Sequence, residues 1–234
     1  MDVLILAATV LICGIAPLAV ALIVGRRLRL PLLVVAVAAA FYLLNLVLQQ
    51  PVFLSLRPLV AGAGPFVIGA IATPAVYAVS EEVLRRLSWR AGSTMRNHRT
   101  SNGAIVAGLA WGGTESLVLT AALLAGVATT GITAGTLAAF AVGRVCAIAT
   151  HVGFAHLSVW GYRRTLLFLP LTIVAHFVVD TSVFGLTAVL DPSSAWPGVL
   201  FGAFAVGAVL VSVRLRRQWA SDTESDAQLS EQRS

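Results

Sequence analysis

Four carboxylic acids and three histidines lie inside or at the ends of long apolar stretches of this chain. They are Glu81, Glu82, Glu115, Asp180, His151, His156 and His176. A charged side chain in bilayer hydrocarbon costs about 2.5–3.5 kcal/mol on insertion scales, so such residues are usually paired, hydrated or functional. A carboxylate can activate water for attack on a carbonyl carbon, and a cationic or hydrogen-bonding group can stabilise the oxyanion that forms. These residue types can therefore supply the groups that hydrolysis of a peptide bond inside a membrane would need.

The same residues could instead hold a metal ion. A catalytic zinc site takes three protein ligands and leaves one position open for water. Glu115, His151 and His176 form such a set, and Asp180, four residues after His176, could orient that ring from outside the metal. His156 is five residues from His151, about 140° around a helix, so these two histidines are not expected to bind one ion.

Helical spacing predicts how the charged residues pair. Residues four apart share a helix face, so Glu81 is expected to pair with Arg85 and Glu82 with Arg86. In the simplest alternative, both glutamates only neutralise these arginines at a helix end. Arg144 lies in the same part of the chain as the histidines. It could be the counter-ion of Glu115 or the group that stabilises an oxyanion.

Other polar and aromatic residues are given structural roles. His98 is expected in a solvated loop and His156 near the membrane interface. Gly108 and Gly112 form a G-x-x-x-G pattern that favours close packing of two helices. Trp111 is interpreted as a packing residue. The two cysteines, Cys13 and Cys146, fall in apolar segments and are also interpreted as packing residues.

The composition determines which elements carry these side chains. The chain is 58% hydrophobic and 11% charged, with a mean hydropathy of +0.90. These values predict an all-α polytopic membrane protein and exclude an ordinary soluble domain. Apolar runs long enough to span a bilayer predict about seven transmembrane helices. Their approximate ranges are 3–25, 31–49, 59–84, 103–128, 132–160, 165–188 and 197–213.

The ionisable residues converge on the third to sixth predicted spans, which should therefore enclose a polar chamber. Residues 1–217 are predicted to form a single integral membrane domain. The polar segment 218–234 is predicted to be a disordered cytoplasmic tail. Between residues 59 and 80, Gly62, Gly64, Pro65 and Pro74 predict a kink or break in the third span.

All 16 basic residues are arginines, and most lie in alternate short loops between the spans. By the positive-inside rule, these loops are expected to face the cytoplasm, with the amino terminus outside and the carboxyl terminus inside. The isoelectric point of 10.6 does not indicate nucleic-acid binding, because that function needs a basic face on a folded surface. The protein is predicted to be a multi-pass protein of the cell membrane, in contact with the lipid bilayer.

Four motifs on successive spans resemble those of a known family. In order they are Glu81-Glu82-x-x-Arg85, Gly108-Leu109-Ala110-Trp111-Gly112-Gly113-Thr114-Glu115-Ser116, Arg144 with His151, and His176-x-x-x-Asp180. This arrangement, over roughly residues 75 to 185, is similar to that of the YhfC-type membrane peptidases and their relatives, the PrsW-like proteases. A more distant similarity to the CAAX-processing and bacteriocin-protection proteases rests on Glu81-Glu82-x-x-x-Arg86 and the last motif.

The resemblance implies an intramembrane endopeptidase acting on membrane proteins or lipidated proteins. It implies catalytic roles for Glu81, Glu82, Glu115, His151 and His176. Arg85, Arg86, Arg144 and Asp180 would support them, and zinc is a possible cofactor. Glu82 or Glu115 would activate water, while the histidines would hold a metal or stabilise the tetrahedral intermediate.

Two other functions stay open at this point. Buried acids and histidines also make proton relays in transporters. The third possibility is a non-catalytic member of the family that binds membrane partners. Gly143 favours it, because the YhfC group usually has a glutamate there.

Overall fold

The computed structural model describes residues 3–60, 62, 64, 67–130, 133–165, 167–185 and 196–231, and every regular element among them is helical. The helices are α1 (Val3–Thr9), α2 (Ala16–Arg27), α3 (Leu32–Val60), α4 (Thr73–Ser88), α5 (Gly92–Asn97), α6 (Ser101–Thr130), α7 (Ala134–Arg164), α8 (Phe168–Asp180) and α9 (Trp196–Glu231). Three π-helical segments, Val10–Ile15, Val67–Ala72 and Thr181–Gly185, adjoin α1, α4 and α8.

Six of the described helical stretches are long and apolar enough to cross a membrane, and a shorter apolar stretch covers Phe168–Val183. Many large apolar side chains point outward, among them Val47, Leu54, Val145 and Leu210, each at least 64% exposed. In water such a surface would be unfavourable, whereas in lipid it needs no cover. The prediction of an all-α polytopic membrane protein is therefore confirmed, with six long spans and a short seventh helix.

The third predicted span begins later than expected. The helix predicted to end near residue 49 continues through Pro51 and Pro58 to Val60. The next described helical segment starts at Val67, and α4 itself begins at Thr73 with Pro74 in its first turn. The π-helical segment runs directly into α4, so Pro74 lies inside one helical stretch, where its missing N–H removes a hydrogen bond of the helix. The predicted interruption is thus present, and its centre, including Pro65, lies outside the described residues.

The last helix also passes its predicted end. It runs to Glu231, and Trp219 on it is 6% exposed and packs edge-on against Trp160 of α7 with ring centroids 5.4 Å apart. The packed part of the chain therefore extends beyond the predicted boundary at residue 217. The segment after it continues as helix, where a disordered tail was expected from residue 218.

Helix α6 is the centre of the bundle and packs against α7, α2 and α3. Its closest approach to α7 is made through two glycines. A Cβ atom at Gly108 would lie 2.5 Å from the Cα of Val152, and one at Gly112 would lie 3.0 Å from the ring of His151 and from the Cα of Ile148. The G-x-x-x-G pattern thus does bring two backbones together, and it sets the distance between Glu115 on α6 and His151 on α7.

The arginine-rich turns meet at one end of the bundle. One apolar core cluster there joins residues near the ends of α2, α3, α6, α7 and α9. Trp89, at the end of α4, is fully buried in it, and Arg99, between α5 and α6, donates two hydrogen bonds to the Trp89 carbonyl at 2.7 and 3.0 Å. The alternation of basic and non-basic loops in the sequence therefore corresponds to a basic end of the fold.

Candidate functional site

Four helices bring the predicted site residues together in one polar chamber. We use this name for nine residues. They are Glu81, Glu82 and Arg85 on α4, Trp111 and Glu115 on α6, Arg144 and His151 on α7, and His176 and Asp180 on α8. The chamber lies between the helices predicted as the third to sixth spans. Each helix contributes residues three, four or seven apart, the spacing that puts side chains on one face.

On α4, Arg85 joins both glutamates. Its Nε lies 3.1 Å from Glu82 Oε1, and its Nη2 lies 3.5 Å from Glu81 Oε2. Glu82 is completely buried and Glu81 is 7% exposed. A helix turn thus supplies one cation for two carboxylates, so the remaining negative charge must be balanced by groups on other helices.

His151 connects Arg85 to Glu115. The Nδ1 atom of His151 lies 3.0 Å from Arg85 Nη2, and its Nε2 atom is hydrogen-bonded to Glu115 Oε2. A guanidinium group can only donate, so Nδ1 must accept. The imidazole proton is then on Nε2 and is donated to the carboxylate. The contacts therefore assign His151 as a neutral ring held in one tautomer.

Glu115 is held from two sides. Its Oε1 accepts a hydrogen bond from Arg144 Nη1 at 2.7 Å, and its other oxygen bonds to His151. The Arg144 and Glu115 side chains are 14% and 16% exposed. Of the two roles considered for Arg144, the structure shows the counter-ion contact.

His176 lies between two carboxylates. Its Nδ1 atom is 2.9 Å from Glu82 Oε1, and its Nε2 atom is 3.5 Å from Asp180 Oδ2. Phe154 of α7 stacks on the ring with centroids 4.6 Å apart. These three contacts fix the plane of the imidazole, and the predicted pairing of His176 with Asp180 is present.

Trp111 belongs to the chamber, although its sequence context predicts only a packing role. Its indole N–H donates to Glu81 Oε2 at 3.0 Å, and the Arg85 guanidinium lies 4.4 Å from the ring centroid. Tyr42 of α3 packs edge-on against the same ring at 5.7 Å. Trp111 is one turn before Glu115, a spacing that could have suggested a shared face.

A cavity of about 80 Å³ opens among these residues. Glu81, Glu115 and Asp180 line it together with both histidines and Arg144, and apolar side chains such as Phe201 of α9 complete the wall. A water molecule needs at least about 10–15 Å³ of such space, so the cavity has room for water. Glu82 is not in the wall, because Arg85 and His176 cover it.

One residue predicted to support the site, Arg86, lies outside the chamber. It shares a helix face with Glu82 but does not pair with it: Glu82 contacts Arg85 and His176 instead, and the Arg86 guanidinium lies against Tyr162 of α7. His156 is fully buried, with Ser101 Oγ 3.0 Å from its Nε2. His98 is half-buried and bonds the Thr94 carbonyl.

The predicted zinc ligands Glu115, His151 and His176 all contact other charged side chains in this arrangement. Each of the four ring nitrogens of His151 and His176 faces an arginine or a carboxylate. Within the described ranges, no group of three or more His, Cys, Asp or Glu side chains is placed to hold a metal ion. For zinc to bind Glu115, His151 and His176, the hydrogen bond between Glu115 and His151 would have to break. The ion would also lie close to the guanidinium groups of Arg85 and Arg144.

Comparison with known proteins gives no relative. No protein-family model matches this chain, and neither does any curated protein or any solved structure. The similarity to the YhfC-type peptidases stays a prediction made from the motifs.

Proposed function

We propose that this protein is an intramembrane peptidase that hydrolyses peptide bonds of membrane-associated proteins with a water molecule activated by a carboxylate. The observation that carries the proposal is a water-sized cavity whose wall combines three carboxyl groups, two imidazoles and a guanidinium between apolar helices. Hydrolysis needs a base for the water and a donor for the oxyanion in one place. The chamber supplies both kinds of group.

Glu81 is the best placed base. Both of its hydrogen bonds, from Trp111 and Arg85, are made to Oε2, and no described residue bonds Oε1. Glu115 has both oxygens engaged, by Arg144 and by His151. Glu81 Oε1 can therefore accept a proton from water without breaking an existing contact, which changes the sequence-based preference for Glu82 or Glu115.

Arg144 and His176 are the candidates for stabilising the tetrahedral intermediate. Arg144 lines the cavity, and its Nε atom is buried with no hydrogen-bond partner among the described residues. A buried donor of this kind is costly unless something accepts from it. An oxyanion, or a water before substrate binds, would be such an acceptor. His176, held between Glu82 and Asp180, can pass a proton to the leaving amine.

A second function, proton-coupled transport, is favoured by a different observation. The contacts from Asp180 through His176, Glu82, Arg85 and His151 to Glu115 form one continuous chain across four helices. Chains of acids and histidines serve as proton relays in membrane transporters, and Arg85, which keeps its proton, would divide this chain into two relays. Peptidase activity and transport therefore need separate assays.

The orientation in the membrane follows from the basic end of the fold. Arginine-rich segments normally face the cytoplasm. We infer that the end carrying the turn after α4 and the end of α7 is cytoplasmic, with the amino terminus outside.

The test is cleavage in a reconstituted membrane. Purified protein is incorporated into liposomes with an extract of membrane proteins, and new peptide termini are identified by mass spectrometry. We expect termini that appear with the wild type and disappear with Glu81→Gln. The matched control is Glu224→Gln, the same chemical change in the polar end of α9, which should leave cleavage unchanged.

Three results would decide against the proposal. One is the absence of new termini with folded wild type, and another is equal cleavage by Glu81→Gln. The third is proton entry into the liposomes, measured with an internal pH dye, that requires Glu115 while no cleavage occurs; this would favour the transporter. If a chelator abolished cleavage and zinc restored it, the result would support a zinc-dependent mechanism.

A further inference from the structure

Three arginines surround one aromatic ring at the basic end of the fold. The guanidinium carbons of Arg86, Arg90 and Arg99 lie 4.5, 5.8 and 4.2 Å from the centre of the Tyr162 ring. We call this group the arginine cluster. Its members come from the end of α4, the turn after it, the segment between α5 and α6, and the end of α7. Three separate pieces of chain therefore build it.

The cluster has no negative charge of its own. None of its three arginines forms an ion pair with an acidic side chain that the structure describes, and the nearest glutamates on α4 are bound by Arg85. Contact with the face of an aromatic ring attracts a cation, but it leaves the charge in place. Three cations so close together repel one another unless an anion lies between them.

Arg86 is the member that most needs a partner. The residue is 7% exposed, and its side chain makes no hydrogen bond to any described residue, although a guanidinium group has five N–H donors. Gly161 leaves room for the Arg86 guanidinium, because a Cβ atom at position 161 would lie only 3.1 Å from Arg86 Nη1. The Tyr162 hydroxyl donates to the Arg86 carbonyl and holds the ring against the turn.

We propose that the arginine cluster is a binding site for the phosphate of an anionic phospholipid headgroup. Guanidinium groups bind phosphate oxygens through paired, charge-assisted hydrogen bonds. The cluster lies at the ends of membrane-crossing helices α4 and α7, the level at which headgroups lie. Basic sites between helices on the cytoplasmic side are typical places for anionic lipids. This inference does not depend on peptidase activity.

The test measures lipid binding to the full-length protein in a neutral detergent. Native mass spectrometry over a range of short-chain phosphatidylglycerol or phosphatidylcholine concentrations gives a Kd for each lipid. We expect phosphatidylglycerol to bind at least about tenfold more tightly, and Arg86→Gln to remove about that tenfold preference. Arg26→Gln is the matched control: it deletes the same charge from an exposed residue at the end of α2. It should change the Kd less than about twofold.

Each other outcome contradicts the proposal. Equal affinity for the two lipids would mean that the arginine cluster is not an anion site. An equal loss of phosphatidylglycerol affinity in Arg26→Gln would mean that the preference comes from general surface charge. Displacement of the lipid by inorganic phosphate at matching concentration would assign the site to free phosphate. If Arg86→Gln does not fold, Arg99→Gln replaces it, because Arg99 is only half-buried, and an unchanged lipid preference in that variant overturns the proposal.

Discussion

The polar chamber and the arginine cluster both concentrate charge in a largely apolar protein, but they differ in how that charge is balanced. In the chamber, Arg85 and Arg144 each contact a carboxylate, and both histidines lie between charged groups. In the cluster, three arginines face one tyrosine ring with no described carboxylate among them. The arginines of the chamber therefore have counter-charges within the chain, although Arg144 Nε keeps no described hydrogen-bond partner, whereas no described counter-charge faces the arginines of the cluster.

This difference has a consequence for stability. Removing one charge from a balanced buried group leaves its partner unpaired in a low-dielectric environment. Removing one charge from a set of like charges relieves repulsion and exposes no partner. Substitutions that delete one charge should therefore have large effects in the chamber and small ones in the cluster.

The largest effect is expected for Glu115→Gln. The substitution keeps the shape of the side chain but removes the charge that Arg144 and His151 contact. Breaking a buried ion pair from one side costs about 3–5 kcal/mol, because an uncompensated charge remains. The free energy of unfolding in mixed detergent micelles should fall by that amount.

A double variant checks the cause of this loss. Glu115→Gln combined with Arg144→Gln removes both charges, so it should recover more than half of the lost stability. A loss below about 1 kcal/mol in the single variant would mean that the chamber is hydrated enough to tolerate an unpaired arginine.

The sequence predicted much of the chamber for a physical reason. Apolar length fixes the spans, and helical periodicity fixes which residues share a face, so Glu81 with Arg85 and His176 with Asp180 follow from local spacing. Contacts between helices do not follow from it. Arg85 contacts Glu82 and His151, and Trp111 donates to Glu81. The contacts between helices depend on how α4, α6 and α7 are rotated and on their relative depth.

The basic end shows a similar limit. Counting arginines in loops placed them on one side of the membrane, but the convergence of Arg86, Arg90 and Arg99 on Tyr162 required the folded chain. Helix ends were predicted least well where a helix continues through proline or into polar sequence, as at Pro51 in α3 and after Arg217 in α9.

The second largest effect is expected at the contact between α6 and α7. In Gly108→Ala, the new methyl group would lie 2.5 Å from Val152 Cα and 2.9 Å from the His151 carbonyl oxygen. The helices must separate, at a cost of about 1–3 kcal/mol, and the Glu115–His151 contact should loosen. The matched control is Gly143→Ala on α7, whose Cβ would meet no atom within 4 Å. Thermal unfolding that is equally lowered in both variants would contradict the close contact.

A smaller effect on catalysis is expected for Trp111→Phe. The ring beneath Arg85 is kept, and only the hydrogen bond to Glu81 Oε2 is lost. A single hydrogen bond to a charged group contributes about 1.5 kcal/mol or somewhat more, equivalent to about a tenfold lower kcat. Because Trp111 positions the base, KM should be unchanged for whichever substrate the liposome assay identifies. A change confined to KM would mean that the indole contacts substrate.

The smallest effect on stability is expected for Arg86→Gln in detergent free of anionic lipid. The variant loses a cation–π contact with Tyr162 worth about 2 kcal/mol at a buried site, and relief of repulsion from Arg90 and Arg99 offsets part of that loss. The free energy of unfolding should change by less than about 2 kcal/mol, below the change for Glu115→Gln. Adding phosphatidylglycerol should then stabilise the wild type more than the variant, because only the wild type keeps all three guanidinium groups. A loss as large as that of Glu115→Gln without added lipid would mean that Arg86 is already paired within the chain, and the two regions would then be balanced in the same way.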